Sequence, residues 1–402
     1  MKRGFLKANN KVAPPAQAEV KPLKPVPIPV SPRVPPAVTQ VINFDIPFSM
    51  QVVFQIRELN LFTHLLLYAG TKEAMLKELQ PVQVESPWSL SNPFVLRKVP
   101  GQGTGAFTKN AYNPGDLILD ERPIFVTPQF FNPQSEPSRE HVLKLAVDEM
   151  SPPSKELFGM LYNCKTNDPK DVVGIIGTNA LGIGRLPGPY EYDYAALFIL
   201  ISRINHSCIP NAEYYWDLKT FKSYIVASRP IAADEQVFIA YTPIFESRAE
   251  RQKVLREKYA FTCTCASCSL PKDLSARSDV KRKILASAYA KLNQQQKEHE
   301  RALKQWIEDL SLPDDHILKP ARFLMQLMEE EQAFDSSLWL VQAEIACKAL
   351  CALSDRAGVV ELAQKASAYA KLVLSADHVG WKKVAAAPEK TEWWGLRKKA
   401  TN

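Results

Sequence analysis

Four cysteines are the residues of this sequence best suited to a definite chemistry. Cys208 lies inside Arg203-Ile204-Asn205-His206-Ser207-Cys208-Ile209-Pro210-Asn211, and Cys263, Cys265 and Cys268 form a CxCxxC cluster further along the chain. Four thiolates suit a closed tetrahedral zinc site with a structural role. One ligand comes from a distant Asn-His-Ser turn, so a metal would tie that turn to the segment after Tyr259 and fold it over whatever the turn binds. Seven cysteines in 402 residues are too few for a disulfide-rich secreted scaffold, and three fall within six residues, so metal binding in a reducing compartment is expected rather than disulfide pairing.

Three more segments carry usable groups. Pro100-Gly101-Gln102-Gly103-Thr104-Gly105-Ala106-Phe107 sets three glycines at alternate positions before a strand, where backbone can approach a ligand without Cβ obstruction. It opens strands rather than a helix, so it is not a nucleotide-binding fingerprint. Asn205-His206-Ser207-Cys208 offers an amide, an imidazole and a thiol in succession, and Asp234-Glu235-Gln236-Val237-Phe238-Ile239-Ala240-Tyr241 is a turn and a strand ending in a tyrosine. Taken singly, each has an ordinary structural reading: a hairpin, a stabilised turn, a packed strand. Their order and combination carry the argument.

The elements that must position these groups follow from hydrophobic period. Residues 50–79 have apolar residues at helical spacing (Val53, Ile56, Leu59, Leu61, Leu65) and predict one or two helices joined near Gly70. Short β-type runs follow at 94–97, 105–108, 117–119 and 123–126. Helices are expected at 140–150 and 155–163, followed by a glycine-punctuated stretch at 174–182, which together read as an insert. Strands resume at 212–216, 221–227 and 236–239, with a turn at 217–219. Beyond Pro271, helical patterns at 278–303, 317–332, 337–353 and 358–377 suggest antiparallel helical hairpins. Trp393 and Trp394, beside Arg397, Lys398 and Lys399, are expected to dock on the chain's own surface.

Composition sets the outer limits. The hydrophobic share of 46% and charged share of 23% fit a soluble protein with a sizeable core, and no apolar run reaches membrane-spanning length. Prolines crowd the first forty residues, which read as a disordered or polyproline-like lead. That density opposes the amphipathic helix of a transit peptide, despite Lys2, Arg3, Lys7 and Lys11. The net charge of +7 is mildly basic and selects no partner.

The combination resembles the SET-domain protein-lysine methyltransferases, whose motifs run in this order: a GxG turn, a helical insert, an Asn-His-Ser loop, a GEEL-like strand ending in a tyrosine, and a cysteine cluster. Residues 203–211 and Tyr259-Ala260-Phe261-Thr262-Cys263-Thr264-Cys265-Ala266-Ser267-Cys268 look like the SET-and-MYND-type branch and its fungal relatives. The likeness covers roughly 94–270. It implies an α+β fold: a β-rich SET domain over 91–262 split by a helical insert at about 128–190, a zinc-binding post-SET cluster at 263–272 and an all-α C-terminal domain over 273–402. A disordered segment at 1–45 and a helical lead-in at 46–90 would precede it.

The resemblance also implies roles. Gly103, Thr104 and Gly105 would present backbone to the methionine part of S-adenosylmethionine, and Asn205 and His206 would bind that cofactor by main-chain and side-chain hydrogen bonds. Asn179 matches a cofactor-contacting asparagine of the insert, and Phe261 would lie against the adenine. Tyr241 would be the catalytic tyrosine, also in contact with cofactor, and Tyr259 the second wall of a lysine channel. Cys208, Cys263, Cys265 and Cys268 would hold one structural Zn²⁺. Methyl transfer to an amine is an in-line displacement, so the enzyme must mainly deliver a neutral amine in line; an aromatic channel and a nearby sulfonium both lower a lysine pKa. The substrate would be a protein presenting a lysine, histone or non-histone, with a chromatin role and a nuclear or cytoplasmic location.

Departures from the branch are visible. Cys164 is the sole cysteine between Gly105 and Cys208, which leaves no MYND finger there; Phe107 stands where an arginine often faces the cofactor; GEEL reads Asp234-Glu235-Gln236-Val237; and Ile239 stands where Phe or Tyr often biases product multiplicity. The rival reading is a catalytically weak SET-fold scaffold acting through its C-terminal helices, for which a protein partner is conceivable. It leaves the joint presence of Tyr241, Tyr259, Asn205, His206 and four thiols without a reason. A nucleic-acid-binding zinc module fits poorly: the CxCxxC has no paired second motif, and Arg251, Lys253, Arg256 and Lys258 alternate with Glu250 and Glu257 on a solvated helix face. Neither membrane association nor direct nucleic-acid binding is expected.

Overall fold

The computed structural model of the protein describes residues 41–43, 50–56, 61–79, 92–129, 136–370 and 378–399. Apart from a short strand, β1 (Val41–Asn43), the proline-rich lead falls outside these residues.

Residues 50–79 depart from the helical expectation. They form β2 (Met50–Ile56) and β3 (Leu61–Tyr68), and the helix α1 is confined to Thr71–Glu78. Two competing signals explain the difference. Val52, Val53, Phe54 and Ile56 are β-branched or aromatic, and from Thr63 to Tyr68 every residue of β3 is buried, as in a strand covered on both faces. An unbroken apolar run satisfies helical spacing as easily as it satisfies a central strand. Gly70 does mark the junction, with φ 82° at the start of α1.

The β framework begins with a hairpin of β4 (Phe94–Val99) and β5 (Gly103–Thr108), in which Lys98 lies opposite Thr104. Next come β6 (Leu117–Glu121) and β7 (Phe125–Pro128). The insert then supplies α2 (Glu136–Asp148), α3 (Pro152–Gly159) and α4 (Val172–Asn179), but it also contains a strand, β8 (Leu181–Arg185), which pairs with β9 (Asp193–Leu197). The two complete a six-stranded sheet of order β1-β2-β3-β7-β9-β8, so the insert is helical only up to Asn179. After it come the two-residue strand β10 (Asn205–His206), the hairpin of β11 (Ala212–Asp217) with β12 (Lys222–Ala227), and β13 (Phe238–Ile239). β12 also pairs with β6, and β10 lies parallel to β13.

Glu121, at the end of β6, fixes the approach to the Asn-His-Ser turn. Its carboxylate accepts the N–H groups of Ile199 at 2.8 Å, Leu200 at 3.0 Å and Ile201 at 2.8 Å, at the start of a 3-10 turn over Ile201–Arg203. Burial pushes this carboxyl up to about 7, against the pull of those N–H groups and of Arg203.

Helices make up every described element from Arg248 onward: α5 (Arg248–Tyr259), α6 (Lys272–Ala290), α7 (Leu292–Glu308), α8 (Leu318–Glu330), α9 (Ser336–Ala352), α10 (Arg356–Ala370), α11 (His378–Ala386) and α12 (Leu396–Lys399), with a 3-10 turn at Pro388–Lys390. Phe245, from the loop after Tyr241, belongs to the core cluster of α6, α8, α9 and α10. Ser336, at the start of α9, donates to Glu213 of β11 at 2.8 Å. Trp393 and Trp394 pack on the cluster around Trp306 and Leu350, with the Lys348 ammonium 5.4 Å from the Trp393 ring centre. No described helix is long and apolar enough to cross a membrane.

Candidate active site and metal centre

The sulfur atoms of Cys208, Cys263, Cys265 and Cys268 lie within 4.8 Å of one another, and Cys208 Sγ is 3.5 Å from Cys268 Sγ. Sulfurs 2.3 Å from one tetrahedral zinc would be about 3.8 Å apart, so the set has the size of a single-ion site. Sequence distance is bridged by α5. Gln252 donates through Nε2 to Cys263 O at 2.7 Å and accepts from Cys263 N at 3.0 Å, which draws the segment after α5 back along the helix. α5 ends at Ala260 in a left-handed conformation, φ 57°, and the chain reverses there between Tyr259 and Phe261.

Directly beside this cluster is a cavity of roughly 880 Å³, walled by the glycine turn, the insert between Gly159 and Leu181, the Asn-His-Ser turn and the end of α5. Tyr241, Tyr259, Phe261, Asn205, Asn179 and Gly103 all face it. The Tyr241 and Tyr259 ring centres are 4.9 Å apart, and His206 stands 5.5 Å from Tyr241 and 6.2 Å from Phe261. The Tyr241 hydroxyl donates to Ile204 O at 2.6 Å. Burial, reinforced by Tyr259 and Cys164, pushes that phenol well above its usual range, so it stays neutral at ordinary pH. Asn205 Nδ2 is buried and has no hydrogen-bond partner among the described residues. An unpaired buried amide beside a cavity asks for a ligand acceptor.

Three expected contacts come out differently. Gly105 does not line the cavity: a Cβ there would come within 2.5 Å of Gln236 Nε2 and 3.0 Å of Val99 Cγ2, so its missing side chain makes room for Gln236. Gly103 (φ 74°) and Thr104 remain on the wall. Gly105→Ala is expected to cost about 1–3 kcal/mol through overpacking, seen as a lower urea midpoint. Asn179 spends its amide protons on Tyr162 O at 2.6 Å and Ile175 O at 2.8 Å, so it shapes the insert wall and has only its carbonyl left for a ligand. The His206 ring has both nitrogens engaged within the protein, by Tyr241 N at 2.9 Å and Cys208 Sγ at 3.3 Å, which leaves only its main chain for a cofactor.

Other residues serve the site without having been singled out. Asn163, buried beside α4, folds the 163–168 turn by donating to Thr166 Oγ1 at 2.8 Å and Asp168 O at 2.7 Å. Lys165 Nζ donates to Lys258 O and lies 5.7 Å from the Tyr259 ring centre, joining the insert to the end of α5. The Asn-Cys-Lys run at 163–165 has no periodicity and no motif to announce it. Arg282, from α6, reaches Cys208 O at 3.3 Å and Ser267 Oγ at 3.0 Å; nothing local marks one arginine of a charged helix as a buried one.

Residues 103–242, which hold the glycine turn, the Asn-His turn and the strand that ends in tyrosine, match the family model of the SET domain. Among similar proteins, histone-lysine N-methyltransferase set5 of Schizosaccharomyces pombe is 29% identical over 189 residues, 47% of this chain and 54% of that protein. Protein-lysine N-trimethyltransferase SMYD5 of Gallus gallus is 43% identical over 77 residues, 18% of each chain. SET domain and MYND-type zinc finger protein 6 of S. pombe is 41% identical over 69 residues, 17% of this chain and 14% of that protein. The chain thus spans about half the length of the first of these relatives and less than a fifth of the other two.

Proposed function

We propose that this protein is a protein-lysine N-methyltransferase that uses S-adenosylmethionine, with one structural zinc in the four-cysteine centre. The observation that carries the reading is the meeting of Tyr241, Tyr259, Phe261 and the unpaired Asn205 amide on one cavity. Its size and donor set suit a nucleoside ligand with a polar tail, and the relatives named for histone-lysine and protein-lysine methylation agree in chemistry. Asn205, the main chain of His206, the turn at Gly103 and Thr104, and Phe261 would hold the cofactor. Asn179 would support the insert wall. The helices from Lys272 would form a C-terminal domain packed on the post-SET cluster. A nuclear or cytoplasmic protein with exposed lysines is the substrate class.

S-adenosylmethionine, when bound, supplies a sulfonium methyl. The chain's own groups then have to admit an amine, strip its water and aim it. Tyr241 and Tyr259 form an aromatic passage in which a charged ammonium is disfavoured, so the amine loses its proton to solvent as it enters. Because the Tyr241 hydroxyl gives its proton to Ile204 O, its lone pairs are left to accept from the amine N–H and turn the nitrogen lone pair toward the methyl. A neutral phenol acts here by orientation and not as a base.

The test measures cofactor affinity by calorimetry and transfer of labelled methyl to proteins of a cell extract. Tyr241→Phe is expected to slow transfer at least about 100-fold, with cofactor affinity changed little. Asn205→Ala should weaken cofactor binding roughly 3- to 10-fold. A wild-type protein that binds no S-adenosylmethionine would overturn the reading; binding with no transfer to any protein would favour a scaffold.

A further inference from the structure

The His206 ring joins two centres that the sequence keeps apart. Its Nδ1 faces the main-chain N–H of Tyr241 at 2.9 Å, and its Nε2 faces Cys208 Sγ at 3.3 Å. A main-chain N–H can only donate, so Nδ1 carries no proton and the ring proton sits on Nε2, directed at sulfur. The ring is buried, 7% exposed, and β10 lies parallel to β13 with His206 beside Ile239, two residues before Tyr241.

We infer that His206 is a positioning residue that couples the four-cysteine centre to Tyr241. The Nε2–H bond to Cys208 Sγ fixes the ring against the sulfur. The fixed ring then holds the Tyr241 main chain through Nδ1, at the point where the hydroxyl of the same residue is anchored on Ile204 O. Hydrogen bonds to metal ligands commonly set ligand basicity and orientation, and here the same group reaches the reacting side chain. Metal occupancy is thereby felt at Tyr241 as a change in where its main chain sits. This inference rests on the methyltransferase and zinc reading above.

Two substitutions separate the halves of the coupling. In His206→Asn the side-chain oxygen falls near the place of Nδ1 and can accept from Tyr241 N–H, but nothing reaches the sulfur. In His206→Gln the side-chain amide reaches the place of Nε2 and can donate to sulfur, but no acceptor faces Tyr241. Zinc affinity, by competition with a chromogenic chelator, and the kcat of methyl transfer at saturating zinc and cofactor are measured for both. His206→Asn is expected to lose zinc affinity about 10- to 100-fold and to lose less in kcat than His206→Gln. His206→Gln should lose about 10-fold or more in kcat while losing less zinc affinity than His206→Asn.

Equal effects of both substitutions on both readouts would mean a packing role only and would overturn the coupling. So would unchanged behaviour of either one. A third measurement needs no variant: in the wild-type protein, chelation should speed hydrogen exchange at the Tyr241 amide, and an unchanged rate there sinks the inference. A wild type that neither binds zinc nor transfers methyl removes the underlying functional reading instead, and this inference with it.

Discussion

Replacing Arg282 by alanine is expected to lower the unfolding free energy by about 3–5 kcal/mol, the range for breaking a buried ion pair by removing one partner. Arg282 is fully buried on α6, and its donors reach five other residues. Nε faces Ser278 Oγ at 3.4 Å and Glu331 Oε2 at 3.2 Å; Nη1 donates to Ile244 O and to Cys208 O at 3.3 Å; Nη2 donates to Ser267 Oγ at 3.0 Å and to Glu331 O at 3.3 Å. Alanine would leave the Glu331 carboxylate, whose side chain is 8% exposed, with only Ser278 Oγ and, at 3.9 Å, Lys281 Nζ, and would leave three carbonyls without this donor. The measurement is urea unfolding followed by tryptophan fluorescence. Because part of the cost is a buried carboxylate left without its arginine, Arg282→Met combined with Glu331→Gln should recover part of the loss. A loss below about 1 kcal/mol for Arg282→Ala, the worth of an exposed ion pair, would count against this account.

The second large effect is expected at the metal. Cys265→Ser, or chelation of the wild type, should lower bound zinc from about one per chain toward none. The segment after α5 should then open. Between Ala260 and Pro271 the chain forms no helix or strand, and its own core is small: Cys208, Leu255, Cys263 and Cys268, with Tyr241, Tyr259, Phe261 and Cys265 packed around them. Structural zinc binding in small modules is worth about 10–16 kcal/mol, far more than so small a cluster can supply by burial alone. Hydrogen exchange across 259–268 should accelerate, and S-adenosylmethionine affinity should fall about 10-fold or more as the closed form becomes a minority. Retention of cofactor affinity after complete zinc removal would show that Phe261 and Tyr259 are held by other means.

Legibility in the sequence followed the range of the forces involved. The Asn-His-Ser turn, the strand leading to Tyr241 and the CxCxxC cluster were readable because each packs its chemistry into a few consecutive residues. The helices α8, α9 and α10 were readable from their spaced apolar residues, whereas the run at 278–303 breaks at Lys291 into α6 and α7, and the buried face of α6 is largely polar. Residues 50–68 were misread because a strand buried on both faces and a helix can share one apolar spacing, and pairing with β7 and its neighbours decides between them. The partners of the His206 ring were not legible for a related reason. An imidazole's partners are chosen in three dimensions, and Tyr241 N and Cys208 Sγ reach it first. Glu121 and Arg282 had no local signature at all, since what distinguishes them from other charged residues is burial among distant main-chain groups.

The pairing of β10 with β13 has a consequence for the order of assembly. Two residues on each side, laid parallel, cannot nucleate by themselves, and the hairpin of β11 and β12 lies between them in the chain. Local antiparallel hairpins close quickly, whereas non-local parallel contacts must first meet the entropy of closing the loop between them. The hairpin is therefore expected to close before Phe238 meets Asn205, and the cavity wall that carries Asn205 and His206 depends on that later pairing.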